Sequence, residues 1–166
     1  MLHQIIGLYE KTVGVKVAAA HCDIPCKIYD PAIATISALS IIRLIDIINE
    51  TSSVDSANQT DYHNTLARCI QRKEEEAEKL KQEIRIIWGD YFKDPQFKSF
   101  PVLHELTHRI MMSASAAKQK VDREEALKLL EYVNTFSEMF WATKGTETER
   151  KIAPYPPSLE IVRPIL

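Results

Sequence analysis

The segment His21-Cys22-Asp23-Ile24-Pro25-Cys26 combines three side chains that bind soft or borderline metal ions. Cys22 and Cys26 offer two thiolates, and His21 offers an imidazole. Cleavage of the chain before His21 would free its amine, and the backbone nitrogen of Cys22 would then lie within a chelate ring. Two nitrogens and two sulfurs in one plane, with an imidazole above it, suit divalent nickel or copper better than zinc. Such strong donors also stabilise a higher oxidation state, so the metal could act as a one-electron catalyst.

Other interpretations of the two cysteines follow from their spacing. A structural zinc site needs a second ligand pair, and the remaining cysteine, Cys69, falls in the middle of a predicted helix. A thioredoxin-type site needs two residues between its cysteines, whereas Cys22 and Cys26 have three between them. On spacing alone, the pair could also be core residues or an accidental disulfide.

The composition indicates a helical domain large enough to hold a core. The chain has 166 residues, 45% of them hydrophobic, and only four glycines, a balance that favours helix over sheet. The net charge of -2 argues against a nucleic-acid partner and gives no sign of binding to an anionic membrane. Because no run of 18 apolar residues occurs, we predict no membrane-spanning segment.

Hydrophobic periodicity predicts an all-α, up-and-down four-helix bundle with the metal-binding hook at its N-terminal side. Asp30 is the expected N-cap of the first helix, and Asp122 that of the fourth, with Glu125 as its capping-box partner. A polar loop at 51–58 and a connector at 93–100 separate the elements. The predicted helices span about 31–49, 59–91, 102–120 and 122–144.

The two ends of the chain are expected to lie outside the bundle. Residues 1–20 end in small residues that resemble a cleavage site, but charges interrupt any apolar run, so a processed leader is favoured over a secretion signal. Residues 145–166 contain four prolines and predict an extended tail, either free or covering an interface. The expected divisions are therefore 1–20, 21–144 and 145–166.

The hook and several later blocks together resemble the nickel superoxide dismutases. After Cys26 the chain continues Ile28-Tyr29-Asp30-Pro31-Ala32, which is similar to the family's N-terminal pattern. The resemblance covers residues 21–144 in collinear order. The later similar blocks are Trp88-Gly89-Asp90-Tyr91-Phe92-Lys93, Ser115-Ala116-Ala117-Lys118 and Phe140-Trp141-Ala142-Thr143-Lys144.

The resemblance implies a fold, a cofactor and an activity. It implies cleavage before His21 and one nickel ion per subunit, bound by the His21 amine, the Cys22 backbone nitrogen and the Cys22 and Cys26 thiolates, with the His21 imidazole as an axial ligand. Superoxide would be converted to dioxygen and hydrogen peroxide while nickel alternates between its divalent and trivalent states. The implied assembly is a homohexamer, with a processing protease and a nickel chaperone as further partners. A cytoplasmic location is expected, with secretion as the alternative.

The resemblance also assigns supporting roles. Tyr29 and Tyr91 match tyrosines that screen the nickel, and Asp23 matches an aspartate that holds the hook through backbone hydrogen bonds. Pro25 would turn the chain so that both sulfurs reach one ion. Lys93 matches a lysine near the entrance, where positive charge attracts an anionic substrate.

The chain departs from the family at three positions. Lys27 replaces a glycine just after the second cysteine. Ser37 and Glu76 stand where the family has a glutamate and an arginine that together orient the axial histidine. Glu76 is therefore the candidate to supply the missing carboxylate from the opposite helix.

Two other functions fit parts of the sequence. His104-Glu105-Leu106-Thr107-His108 is a literal H-E-x-x-H motif, which on a helix predicts a zinc metallopeptidase. No clear third ligand accompanies it, although Glu125 and Glu131 lie downstream. The remaining alternative is a non-enzymatic helical interaction domain with unused cysteines.

Overall fold

The described part of the chain, residues 27–52 and 58–166 of a computed structural model, consists of helices followed by a two-stranded sheet. The all-α prediction is confirmed for the body of the domain, and the bounds differ from the predicted ones mainly at the connectors. The helices are α1 (Ala32–Ser52), α2 (Gln59–Ile86), α3 (Asp94–Ser99), α4 (Leu103–Gln119) and α5 (Arg123–Thr143). A π-helical turn (Ile87–Tyr91) continues α2, and strands β1 (Thr148–Ile152) and β2 (Glu160–Pro164) follow α5.

The four long helices enclose one apolar core. Helix α1 packs on α2 and α5, and α4 packs on the same two helices, which is the arrangement of a four-helix bundle. Apolar side chains three to four residues apart fall on one face of a helix, so each helix contributes a buried stripe. Ile41, Ile42 and Ile45 of α1 and Phe136 and Phe140 of α5 are completely buried in this core.

Helix α1 begins where the sequence predicts and ends later. The Asp30 carboxylate accepts a 2.8 Å hydrogen bond from the Ala32 backbone N–H, which supports the predicted capping role. Thr51 and Ser52, predicted as loop, continue the helix. The helix is long and apolar enough to cross a membrane by length and composition, and half of that stretch is buried inside the bundle.

Helix α2 ends in a wider turn. Asn58 caps its start by accepting hydrogen bonds from the backbone of Thr60 and Asp61. At the other end, the Phe92 N–H donates to the Ile87 carbonyl five residues back, at 3.2 Å. This turn contains one residue more than an α-helical turn. It therefore sets the direction in which Tyr91 leaves the helix.

Residues 93–100 connect two long helices, as predicted, but most of this connector is itself helical. Helix α3 runs from Asp94 to Ser99, with Pro95 in its first turn, where the missing proline N–H removes no helical hydrogen bond. The Gln96 side-chain oxygen accepts from the Lys93 backbone N–H at 3.1 Å and secures the start of the helix.

Helix α4 ends against a lysine of α2. Lys73 is 2% exposed, and its ammonium donates to the carbonyls of Ala117 (2.7 Å), Lys118 and Lys120 (3.0 Å). The last carbonyls of a helix lack partners within the helix, so Lys73 satisfies them in place of a glycine turn. Burial lowers the pKa of Lys73 below its ordinary value, against a smaller opposing effect of Glu74.

Helix α5 starts and stops near the predicted residues, but its capping box is incomplete. The Asp122 carboxylate accepts from the Glu125 N–H at 3.1 Å, as predicted. The Glu125 carboxylate instead accepts from the Ser113 hydroxyl of α4 at 2.5 Å, so it ties two helices together. Gly145 has a φ of 69°, the left-handed conformation that commonly follows a helix and favours glycine.

The C-terminal tail forms a hairpin, whereas the sequence predicted an extended tail that is either free or covers an interface. Strands β1 and β2 pair antiparallel, with Arg150 opposite Val162, and both contact α5. Asn134 of α5 is 1% exposed; its amide nitrogen donates to the Glu160 carbonyl at 3.0 Å, and its amide oxygen accepts from the Val162 N–H at 3.1 Å. Proline content misled the prediction because the prolines lie mainly in the connection and at the strand end.

Candidate functional site

The predicted metal ligands lie outside the described residues, and the structure begins immediately after them. His21, Cys22 and Cys26 fall in this segment, as do Asp23 and Pro25. Five other predicted site residues are described: Tyr29, Ser37, Glu76, Tyr91 and Lys93. Lys27, the first described residue, has a φ of 72°. The glycine-to-lysine replacement therefore falls at a left-handed position, where an L side chain is strained.

The two predicted tyrosines meet although they are far apart in the sequence. The rings of Tyr29 and Tyr91 have centroids 5.6 Å apart and are inclined by 50°. Tyr29 lies in the short link between the hook and α1, and Tyr91 ends the π-helical turn. Both side chains are half-buried against the core. The bundle thus brings a second aromatic ring to the point where the hook segment joins the domain.

Tyr91 is held on several sides by the end of α5. Its ring packs against Phe140 at 4.9 Å and Phe92 at 5.2 Å between centroids. Its hydroxyl lies 2.6 Å from the Thr143 hydroxyl, and the Lys144 ammonium lies 4.4 Å from the ring centroid. An ammonium at this distance over a ring face makes a favourable cation–π contact.

Thr143 and Lys144 were not singled out from the sequence as site residues. The sequence places them at the end of a predicted helix, and no local spacing relates residue 143 to residue 91. The proximity is created by packing of α5 beside the end of α2. The only hint in the sequence is that both belong to the block Phe140-Trp141-Ala142-Thr143-Lys144.

Lys93 lies just beyond the π-helical turn, with an exposed side chain. Its ammonium donates to the Gly89 carbonyl at 3.2 Å, close to the C-terminal end of that turn. This contact neutralises part of the negative end of the helix while leaving a positive charge at the surface.

Ser37 and Glu76 are buried against each other between α1 and α2. The Ser37 hydroxyl donates to Glu76 Oε2 at 2.7 Å, and Arg72 Nη2 lies 2.6 Å from Glu76 Oε1. The Glu76 side chain is only 5% exposed, so these partners compensate its loss of hydration. A carboxylate of α2 is therefore buried between the two helices.

The H-E-x-x-H motif lies on α4. His104 Nδ1 accepts from the Trp88 indole N–H at 3.1 Å, and its ring stacks on Phe97 at 4.1 Å. Glu105 is ion-paired with Arg109 at 2.5 Å. Within residues 27–52 and 58–166, no group of three or more histidine, cysteine, aspartate or glutamate side chains is placed to hold a metal. In this structure His104 takes part in aromatic packing.

Known proteins resemble this chain over most of its length. The family model for nickel-containing superoxide dismutase matches residues 16–144. The nickel superoxide dismutase of Streptomyces seoulensis is 39% identical over 130 residues, which cover 78% of this chain and 92% of the relative. That of Streptomyces coelicolor is 36% identical over 126 residues, covering 76% and 89% respectively.

Solved structures agree in fold as well as in sequence. A native nickel superoxide dismutase structure is 34% identical, with a TM-score of 0.64, and the match covers 75% of this chain and 99% of that one. A structure of the oxidised state is 35% identical, with a TM-score of 0.65 and the same coverage. The C-terminal hairpin lies beyond the family match, which ends at residue 144. The chain belongs to the family of nickel-containing superoxide dismutases.

Proposed function

We propose that this protein is the precursor of an enzyme that disproportionates superoxide to dioxygen and hydrogen peroxide, with one nickel ion per subunit. Two relatives named nickel superoxide dismutase match most of this chain. The matches cover 89% and 92% of the relatives' own length. The observation on the chain itself that carries the proposal is the contact between Tyr29 and Tyr91 next to the hook.

The donor set fits nickel. His21, Cys22 and Cys26 supply an imidazole, two thiolates and, after cleavage, an amine beside a backbone nitrogen. This combination of nitrogen and sulfur donors favours divalent nickel or copper and is poor for calcium or magnesium. When bound, nickel would supply the one-electron couple between its divalent and trivalent states. Asp23 would hold the hook through backbone hydrogen bonds, and Pro25 would help it turn.

The described residues would control access to this centre. Tyr29 and Tyr91 place two aromatic rings beside the hook junction, where they would narrow access to the metal. Lys93 and Lys144 place positive charges nearby, which raises the local concentration of an anionic substrate. Such attraction weakens as salt is added.

The first experiment is intact mass and metal content on protein expressed with its own processing factors. We expect a chain beginning at His21, one nickel per subunit and dismutase activity. Cys26→Ser should lose nickel and activity, whereas Cys69→Ala, which removes a buried cysteine of α2, should keep both. A processed, folded protein that binds no nickel, or a Cys26→Ser variant that retains it, would rule the proposal out.

Glu76 is proposed to orient the imidazole of His21, which would help to hold the nickel. Its carboxylate already accepts from Ser37 and pairs with Arg72, so it is held rigidly between α1 and α2. A carboxylate that accepts from a ligand's free ring N–H fixes the ring and raises its basicity. The exchange of residue types at 37 and 76 would then preserve one carboxylate at this place while moving it to the other helix.

Glu76→Gln tests this role, with Glu75→Gln as the matched control because Glu75 also contacts Arg72 but lies exposed on α2. We expect Glu76→Gln to alter the electron paramagnetic resonance signal of the oxidised nickel and to reduce activity about 10-fold or more. Glu75→Gln should change neither. An unchanged spectrum and rate in Glu76→Gln would remove Glu76 from the site.

The assembly and cellular partners follow the same proposal. The mature chain is proposed to form a homohexamer in the cytoplasm after a protease removes residues 1–20 and a chaperone delivers nickel. Sedimentation velocity on the processed protein tests the assembly, and a monomer at micromolar concentration would contradict it. Fractionation of cells that express the full chain tests the location.

A further inference from the structure

The hydroxyl of Tyr91 is part of a chain of two short hydrogen bonds at the end of α5. The Thr143 oxygen lies 2.6 Å from the Tyr91 hydroxyl and 2.6 Å from the Phe140 carbonyl oxygen. By distance alone, either hydroxyl could donate in the first contact. The carbonyl decides the direction, because it has no hydrogen and can only accept.

Thr143 has one hydroxyl hydrogen, which it donates in a hydrogen bond to the Phe140 carbonyl oxygen. Thr143 must therefore accept in its contact with Tyr91, and the single phenolic hydrogen of Tyr91 points toward α5. The Tyr91 oxygen keeps its lone pairs and can still accept a hydrogen bond. Cation–π contact of Lys144 with the ring, together with ring packing against Phe140, limits rotation of the side chain away from this arrangement.

We propose that Thr143 is a positioning residue that directs the hydrogen of the Tyr91 hydroxyl toward α5 and leaves the Tyr91 oxygen as a hydrogen-bond acceptor beside Tyr29. This inference rests on the proposed function, because that proposal identifies the neighbouring site as a nickel centre. The direction of the Tyr91 and Thr143 hydrogen bonds follows from the described residues alone. An acceptor oxygen binds neutral species that carry hydrogen, such as water or hydrogen peroxide, and offers no hydrogen bond to an anion. Tyr91 would thus give no added affinity to an anion beside its ring, and the positive charge of Lys144 would attract superoxide and other anions alike.

The bond direction is measured by ultraviolet resonance Raman spectroscopy, in which the tyrosine doublet distinguishes donating from accepting hydroxyls. Subtracting the Tyr91→Phe spectrum isolates the residue. We expect a donor signature in the unchanged protein, its loss in Thr143→Val and its return in Thr143→Ser. Thr135→Val is the control, because Thr135 donates to the Glu131 carbonyl within α5. A donor signature that persists in folded Thr143→Val refutes the proposal, as does an unchanged protein in which Tyr91 does not donate.

A second readout uses the nickel-loaded protein and azide as the probe. Freeing the Tyr91 hydrogen should let it donate to the anion, and one such bond would tighten azide inhibition about 5- to 10-fold in Thr143→Val but not in Thr143→Ser. Equal inhibition in both variants would refute the predicted effect of the Tyr91 hydroxyl on anion binding. The Raman result does not require metal, so loss of the donor signature in a protein without dismutase activity would support the positioning role and contradict only the proposed enzyme.

Discussion

Replacement of Asn134 by alanine should release the C-terminal hairpin while leaving the bundle folded. The Asn134 side chain makes two hydrogen bonds to β2, to the Glu160 carbonyl and the Val162 N–H. Each such bond contributes about 1 kcal/mol net, and leaving the backbone partners unsatisfied adds to the loss, so we expect the docked hairpin to lose about 2–4 kcal/mol. The core residues of α5 keep their own contacts.

Native-state hydrogen exchange separates the two effects. At 1.4 kcal/mol per factor of ten, protection of the Val162 amide should fall by about 30-fold to several hundred-fold, provided that it opens by release of the hairpin. Protection of Val133 in the core of α5 should change little. Thr135→Ala is the control, because it removes a hydroxyl that bonds within α5. Unchanged protection of Val162 in Asn134→Ala would show that pairing with β1, and not the asparagine, holds β2 in place.

Three further substitutions have distinct expected outcomes. Lys73→Met should lower the free energy of unfolding, measured in urea, by at least about 2 kcal/mol, because the terminal carbonyls of α4 lose their hydrogen-bond donor. Lys79→Met, on the exposed face of α2, should have little effect. Gly145→Ala should cost about 1 kcal/mol in the same assay, because its φ of 69° strains any residue with a Cβ. Arg150→Ala should cost about 0.5–1 kcal/mol at low salt and less at high salt, since its ion pairs with glutamates of α5 are partly exposed.

Each of these three has a result that would contradict its reasoning. Equal stability of the Lys73 and Lys79 variants would mean that water replaces the ammonium at the α4 carbonyls. No loss in Gly145→Ala would mean that the chain leaves α5 by another path. A salt-independent loss in Arg150→Ala would indicate that packing of its stem, and not charge, dominates.

The helices could be predicted from the sequence because their signals are local. Asp30 and Asp122 mark starts, and apolar residues at helical spacing mark buried faces, so the four long helices were placed within a few residues. The short α3 and the C-terminal hairpin were missed. Their stability depends on partners distant in sequence, such as Asn134 beneath β2, which no local pattern reveals.

The residues of the candidate site also differ in whether a local sequence signal indicates them or whether they depend on partners distant in the sequence. The hook can be proposed from the sequence because His21, Cys22 and Cys26 lie within one stretch of six residues, and Tyr29 and Tyr91 are matched through motifs. Thr143 could not be found, because its relation to Tyr91 exists only after α5 packs beside the end of α2. Ser37 and Glu76 are intermediate: their replacement was visible in the sequence, but their direct hydrogen bond required the folded chain.

The π-helical turn Ile87–Tyr91 makes this region sensitive to length as well as to composition. One residue in an α-helix corresponds to about 100° of rotation, so losing a residue from α2 while the wide turn is kept would swing Tyr91 to another face. Substitutions within the turn leave this angle intact. Over evolutionary time the segment should therefore accept changes of side chain more readily than a gain or loss of one residue, and its length should be inherited as part of the site.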